Sequence, residues 1–257
     1  LELWPNLIAA ARRRGAKVAV VNGRLSQRSF SGYRLIRPLA RRMLQQTDLI
    51  AAQDQTYAER FLALGARPET VHVTGSMKYD GAQTDRNNPA TVRLKRLAGL
   101  EDDDLVLLAG STQAEEEIAA LEVFRRLAAD YPRLRLVIVP RHPERFDAVA
   151  RWLDSSGLRW QRRSRLEAEL ANRDARILLV DAVGELGAWW GTAQIAFVGG
   201  SFGKRGGQNM IEPAAYGAAV CFGPNTWNFR DVVEAMLAAE AAVVVGEGEE
   251  LAAFVSG

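Results

Sequence analysis

Residues Ala196–Pro224 read AFVGGSFGKRGGQNMIEPAAYGAAVCFGP, and their order decides the fold. The apolar run Ile195–Val198 ends in Gly199-Gly200-Ser201, and a basic, glycine-rich loop follows with Gly203, Lys204, Arg205, Gly206 and Gly207. Asn209-Met210-Ile211-Glu212-Pro213 then opens a helix, and a second apolar run, Ala218–Phe222, ends in Gly223-Pro224. Strand, loop, helix, strand is the repeating unit of a parallel α/β sheet. Such a loop is expected to present free backbone N–H groups and the positive end of a helix dipole to a ligand. Glu212, one turn into the helix, would repel phosphate but suits sugar hydroxyls as an acceptor. Loop and glutamate together point to a nucleotide whose ribose and phosphate are read separately. A glycine-rich βα turn alone is common in α/β domains, so its weight depends on the rest of the chain.

At 257 residues the chain has room for two domains, each with its own core. Apolar residues make up 48% and charged residues 25%, the balance of a globular protein rather than a disordered or fibrous one. The net charge of +2 gives no reason to expect a nucleic-acid partner. The charge is unevenly spread: Arg12, Arg13, Arg14, Arg24, Arg28, Arg34, Arg37, Arg41 and Arg42 crowd the first fifth. The Arg12–Arg14 triplet reads as a solvated helix face, whereas Arg24 through Arg42 suit an anionic partner or a membrane surface as well. Cys221 is the sole cysteine and lies in an apolar run, so no disulfide forms and the residue reads as core. His72 and His142 cannot complete a metal cluster with it, and no metal is expected. No apolar run is long enough to span a bilayer. The chain opens at Leu1-Glu2-Leu3-Trp4-Pro5 without a methionine or a signal peptide, which reads as a truncation.

The first part alternates. Helix Asn6–Arg14 stops at Gly15, strand Lys17–Asn22 follows, and Leu25–Tyr33 reads as a polar loop. Next come helix Pro38–Gln46, strand Leu49–Ala52, helix Thr56–Leu64 and strand Val71–Thr74. Gly81–Pro89 is polar and turn-rich and is the expected linker, dividing the chain into domains 1–83 and 84–257. The second part repeats the alternation. Its strands are Leu105–Ala109, Arg135–Val139, Ile177–Val180, Ile195–Val198, Ala219–Phe222 and Ala242–Val245. Its helices are Ala114–Ala129, Glu144–Ser155, Glu185–Gly191, Met210–Tyr216 and Phe229–Ala239. Open parallel sheets bind ligands beyond the carboxyl ends of their strands. The groups expected to converge there are Ser111-Thr112, Arg141-His142, Asp181 to Glu185, Gly199–Gly207 and Gly223-Pro224-Asn225. Arg141 offers a planar donor fork for a phosphate or a base carbonyl. Ser111 and Thr112 precede a helix start, a place that suits both capping and an anion.

Several segments are idiosyncratic: Glu2-Leu3-Trp4-Pro5-Asn6, Asn22-Gly23-Arg24-Leu25-Ser26, Val73 to Asp80 (VTGSMKYD), Gly110-Ser111-Thr112, Val139 to Phe146 (VPRHPERF), Arg205 to Asn209 (RGGQN) and Phe222 to Phe229 (FGPNTWNF). In content and order the chain resembles the 3-deoxy-D-manno-octulosonic acid (Kdo) transferases, glycosyltransferases of the GT-B fold. The resemblance implies an α/β protein with two Rossmann-like domains, residues 1–83 supplying the later part of the acceptor-side domain and residues 84–257 the donor domain. It implies CMP-Kdo as donor and a lipid A precursor as acceptor, at the cytoplasmic face of the inner membrane, with no cofactor. It assigns CMP contacts to Pro140, Arg141, Val183, Gly184, Glu185, Asn209, Met210, Ile211 and Glu212. Ser111, Thr112, Gly206, Gly207 and Gln208 would lie near phosphate or sugar. Lys78 matches a lysine that offsets charge on the departing CMP; on its own it reads as a solvated loop lysine.

The chain departs from the family at Gln208, where histidine is common, and at Met210, where proline is. Glutamine still donates to an anion but carries no proton. The resemblance also implies a catalytic glutamate and an N-terminal membrane anchor upstream of Leu1, so this stretch alone is expected to bind donor and to catalyse poorly. Two other classes fit the residues themselves: another GT-B nucleotide-sugar enzyme, either a UDP-sugar transferase or an epimerase, and a nucleotide-binding module without full catalytic equipment.

Overall fold

The structure, a computed structural model, describes residues 3–246 and 248–257. The chain forms two compact units, Leu1–Gly81 and Ala82–Gly257. In the smaller, helix α1 (Pro5–Arg13) leads to strand β1 (Ala19–Gly23). Helices α2 (Gln27–Leu35) and α3 (Arg37–Leu44), strand β2 (Leu49–Ala52), helix α4 (Gln55–Ala63) and strand β3 (Val71–Val73) follow. The strands pair in parallel in the order β1-β2-β3. Leu25, Leu44, Ile50, Phe61 and Leu64 form the core of this unit.

The larger unit opens with helix α5 (Pro89–Leu97), strand β4 (Leu105–Thr112), helix α6 (Ala114–Leu127) and strand β5 (Leu134–Pro140). Helix α7 (Phe146–Ser155), strands β6 (Trp160–Arg162) and β7 (Ile177–Leu179), helix α8 (Leu186–Trp190) and strand β8 (Ile195–Val198) come next. Helix α9 (Ile211–Ala215), strand β9 (Ala219–Phe222), helix α10 (Arg230–Ala238), strand β10 (Ala242–Val244) and helix α11 (Gly248–Ser256) complete it. All seven strands are parallel, in the order β10-β9-β8-β4-β5-β7-β6.

Side-chain alternation along each strand assigns the two faces. Val106, Leu108, Val137, Val139, Ala196, Val198, Val220 and Phe222 pack with Trp189, Trp190, Ile211 and Val232 of α8, α9 and α10. Their neighbours Leu107, Ala109, Leu136, Ile138, Ile195, Phe197 and Cys221 pack with Leu121, Phe124, Leu153 and Leu251 of α6, α7 and α11. A strand buried on both faces must read as a continuous apolar run, and these do. Cys221 is wholly buried, and burial pushes its thiol up in pKa, so it is an inert core residue.

Several elements differ from the sequence reading. Leu25–Tyr33, expected as loop, is largely helix: Ser26 accepts the Ser29 N–H at its start, and Phe30 and Tyr33, one turn apart, lie against the small core. Helix α5 begins where Asn88 accepts the N–H groups of Ala90 and Thr91 and proline takes the first turn. Strand β6 and helix α11 also had no counterpart in the sequence reading. β6 reads as mixed polar and aromatic because it lies at the sheet edge. The expected linker is not a free tether. From Ala82 onward it belongs to the larger unit, and Arg86 donates to the carbonyls of Tyr216, Gly191 and Ala193 at 2.8, 3.2 and 2.7 Å. Burial lowers the pKa of its guanidinium, which three carbonyl acceptors nevertheless hold in place. Arg86→Ala strands those acceptors, and urea unfolding followed by tryptophan fluorescence is expected to show a loss of about 1–3 kcal/mol.

Candidate functional site

From β4 the chain runs one way along the sheet to β5 and the edge strand β6, fills β7 between them, then crosses to β8, β9 and β10 on the other side. The strand order therefore reverses between β4 and β8, and the crevice outside their carboxyl ends is where such a sheet offers a ligand site. β4 and β8 come very close there. A Cβ on Gly199 would lie 2.7 Å from the Thr112 Cα and 2.8 Å from a Glu116 carboxylate oxygen, so only glycine fits.

Glu116 lies in the first turn of α6 and is wholly buried. It accepts the N–H groups of Gly200, Ser201 and Phe202 at 2.8, 2.7 and 3.0 Å, the Ser201 hydroxyl at 3.3 Å, and the N–H of Gln113 at 2.8 Å. The first N–H groups of the glycine loop are thus taken by an internal carboxylate. The sequence reading had expected them to be free for phosphate. The loop from β9 to α10 grips the remainder. Gly223 donates its N–H to the Ser201 hydroxyl, Asn225 donates to the carbonyls of Ser201 and Phe202, and Asn228 donates to those of Gly206 and Arg205. Gly206 is left-handed with φ +86°, and a Cβ there would meet the Trp227 indole nitrogen at 2.4 Å. Gln208 lies against Gly200, and the Arg205 guanidinium is 2.8 Å from the His142 ring beside Arg141.

A cleft of about 100 Å³ at the ends of β4 and β5 is lined by Ser111, Pro140, Arg141, Val183, Gly184 and Leu186. That volume suits one ring of a nucleotide rather than the whole. Ser111 is buried and holds a left-handed backbone with φ 56°, unusual for a non-glycine residue and a strain that clusters at ligand sites. Arg141 is exposed, and its own N–H bonds to the Thr112 carbonyl. Glu212 reaches within 3.9 Å of the Cβ position of Gly187, the residue after Leu186. Asn209 orients it by donating to one carboxylate oxygen at 2.9 Å. Arg141, Gly184 and Glu212 are therefore drawn to one end of the sheet. Elsewhere, a hollow of about 450 Å³ on the smaller unit, lined by Trp4, Leu7 and Val21 among others, contains none of the expected site residues.

Other expected residues have different tasks. Ser111 and Thr112 lie inside β4, which runs to Thr112, rather than after it. Thr112 is wholly buried and donates to Glu117, which Arg145 grips in turn. Met210 and Ile211 are core side chains, so at those positions only backbone remains for a ligand. α9 has five residues, shorter than the expected Met210–Tyr216, and its Ile211 N–H is taken by the Asn209 side chain. The Glu185 carboxylate is engaged by Arg163 at 2.6 and 2.8 Å, by Trp189 at 3.2 Å and by Arg93 at 3.4 Å. Lys78 is an exposed residue in the turn after β3 and belongs to the smaller unit. Sequence reasoning missed Glu116 and Trp227 as site-forming residues. The acidic triplet Glu115-Glu116-Glu117 was visible, but as helix capping. Among the described residues no group of three His, Cys, Asp or Glu side chains is arranged to hold a metal.

Asp181 closes an edge network, accepting from the Ser164 N–H and hydroxyl and from Arg162 at 2.8, 2.7 and 2.6 Å. Burial pushes its carboxyl up, but these donors outweigh burial and hold it below the usual range. A lowered native value adds stability that is complete above the ordinary carboxylate pKa and disappears as pH falls through the native one. Urea midpoints measured between pH 5 and 3 are therefore expected to fall less steeply for Asp181→Asn than for the parent. Glu116→Ala leaves the Gly200, Ser201 and Phe202 N–H groups of the glycine loop without their acceptor, and a loss of about 3–5 kcal/mol in urea unfolding is expected. A loss below about 1 kcal/mol would show that the carboxylate does not hold the loop.

Comparison with known proteins connects this geometry to relatives. Residues 1–81 match the family model described as 3-deoxy-D-manno-octulosonic-acid transferase (kdotransferase). The 3-deoxy-D-manno-octulosonic acid transferase of Haemophilus influenzae is 39% identical over 90% of this chain and 53% of its own length. The crystal structure of the C-terminal CMP-Kdo binding domain of WaaA from Acinetobacter baumannii superposes with a TM-score of 0.59 at 29% identity, covering 65% of this chain and 85% of that domain. UDP-GlcNAc 2-epimerase from Methanocaldococcus jannaschii, at TM-score 0.56 and 14% identity over 97% of this chain and 65% of its own, shares the fold alone. The chain spans about half the length of the curated relatives it matches. With an α/β architecture of the GT-B type, it is similar along nearly its whole length to the 3-deoxy-D-manno-octulosonic acid transferases.

Proposed function

We propose that the larger unit binds CMP-Kdo and that the protein transfers Kdo to a lipid A precursor at the cytoplasmic face of the inner membrane. The observation that carries the donor assignment is the gathering of Ser111, Arg141 and Gly184 around one cleft with Glu212 beside it. Arg141 supplies a planar cation for the CMP phosphate or the base carbonyl. Glu212, oriented by Asn209, accepts from ribose hydroxyls. The segment Val183-Gly184-Glu185 offers backbone groups to the base, since the Glu185 side chain is committed to Arg163, Trp189 and Arg93. The left-handed Ser111 and the clamped Gly206-Gly207-Gln208 segment lie on the phosphate and sugar side.

In the transfer itself a base takes the proton of the acceptor hydroxyl, whose oxygen attacks the anomeric carbon with inversion while the bond to CMP breaks. The negative charge grows on the departing phosphate, where the Arg141 guanidinium offsets it. No metal is invoked; the guanidinium does that work.

Calorimetric titration of the chain with CMP tests the donor assignment. CMP is expected to bind, and Glu212→Ala to weaken it by roughly tenfold, the worth of one charge-assisted hydrogen bond. Arg141→Ala is expected to weaken it by roughly ten- to a hundredfold. Tighter binding of UDP than of CMP would instead place the chain with UDP-sugar enzymes, and unchanged affinity in Glu212→Ala would remove its ribose role.

A further inference from the structure

Arg205 is held in place by contacts that leave its charge uncompensated. The Asn228 side chain donates to its carbonyl at 2.7 Å, on a loop that Glu116 already holds at Gly200, Ser201 and Phe202. Its guanidinium then crosses to the loop after β5, where one nitrogen donates to His142 Nε2 at 2.8 Å. β4 lies between β5 and β8 in the sheet, so this contact spans the carboxyl end of β4, where Ser111 is left-handed. An Nε2 that accepts requires the ring proton on Nδ1, and Glu144 Oε1, 3.7 Å from Nδ1, favours it there. The ring is therefore neutral in this contact. Elsewhere in the larger unit carboxylates neutralise the arginines they hold, as Glu117 does Arg145 and Glu185 does Arg163. Arg205 is positioned without being neutralised. From Gly199 to Ile211 the loop contains no acidic residue. Among the described residues neither Arg205 nor Arg141, the neighbour of His142, pairs with a carboxylate.

The donor proposed above has a group that CMP lacks. Kdo is an ulosonic acid, so its anomeric carbon carries a carboxylate as well as the bond to the CMP phosphate. The cleft beside Ser111 and Arg141 has room for one ring of a nucleotide, so the sugar must lie outside it. Two anions on one carbon call for two cations, and a planar guanidinium takes a carboxylate through two parallel hydrogen bonds. Arg141 lines the cleft, and Arg205 reaches over the end of β4 from the opposite loop. An arginine that served only as a solvated surface charge would gain nothing from being fixed at both its backbone and its guanidinium, since freezing so long a side chain costs entropy. We propose that Arg205 binds the carboxylate on the anomeric carbon of the donor sugar, and that His142 is the positioning residue that holds the guanidinium there. The proposal rests on the donor reading above and extends it from the nucleotide to the sugar.

Calorimetric titration with CMP, and with freshly prepared CMP-Kdo, tests it. Arg205→Ala is expected to weaken CMP-Kdo by about ten- to a hundredfold, the worth of a charge-assisted pair, and to change CMP by less than about threefold. Arg205→Lys is expected to recover only part of the loss, because an ammonium lacks the planar fork. His142→Phe fills the space of the ring but offers no acceptor, and is expected to weaken CMP-Kdo by about tenfold while CMP is little affected. His142→Gln restores an acceptor and is expected to regain most of what His142→Phe loses. Binding of CMP by each variant shows that it is folded. Equal losses of CMP and CMP-Kdo in Arg205→Ala, or unchanged affinity for CMP-Kdo, overturn the carboxylate assignment. Equal losses in His142→Gln and His142→Phe, or none in His142→Phe, overturn the positioning role. A parent chain that binds neither ligand removes the donor reading and this proposal with it. A parent that binds both, with Arg205→Ala losing them equally, leaves the donor reading standing and removes the carboxylate assignment alone.

Discussion

Three backbone N–H groups and a hydroxyl from the loop after β8 converge on the buried carboxylate of Glu116, and the shape of the crevice between β4 and β8 depends on that convergence. A charge taken out of water is tolerated only when donors surround it. Glu116 meets that condition with main-chain groups drawn from the place where the sheet reverses direction. The carboxylate also serves the start of α6 through the Gln113 N–H, so one side chain fixes a helix terminus and a ligand-facing loop together. Gly199 follows from the same constraint, because β4 and β8 approach too closely there for any side chain.

With its inner N–H groups occupied, the glycine loop cannot act as a simple phosphate cradle. It acts as a preorganised wall. Asn225 and Asn228 hold its outer half from the neighbouring loop, and Trp227 covers Gly206. Binding a nucleotide beside such a loop requires little further ordering, the condition under which hydrogen bonds to a ligand contribute most to affinity. Arg141 stands just after the end of β5, Glu212 on the short helix α9, and the left-handed Ser111 inside β4 next to its last residue. Arg163 and Trp189 hold the Glu185 carboxylate by hydrogen bonds.

The two units divide the electrostatic work. In the larger, arginines meet carboxylates repeatedly, as Arg135 does with the buried Asp104, Arg145 with Glu117 and Arg162 with Asp181. Such pairs contribute more to defining the structure than to its net stability. In the smaller, the arginines of α2 and α3 lack carboxylate partners among the described residues, and Leu35, Ile36 and Leu39 beside them are exposed.

The parallel α/β architecture was legible in the sequence because a strand buried on both faces has to be an unbroken apolar run. Ile195–Val198 and Ala219–Phe222 are read off residue for residue. The positions of Arg141 and Gly184 after strands were legible for the same reason, since the end of an apolar run marks the end of a strand. Helix α2 was not, because its helical character rests on two aromatic contacts hidden in a polar segment. β6 was not, because an edge strand need not be apolar on both sides. What only the tertiary structure decided is how each polar group is used. Glu116, Glu185 and Glu212 look alike along the chain. One is sealed beneath the glycine loop, one is bound to arginine and tryptophan, and one stands at the cleft. Their neighbours are 84 residues away for Gly200 on Glu116 and 22 for Arg163 on Glu185. Burial and hydrogen-bond partners set at such distances follow from the packing of the sheet and carry no local signature.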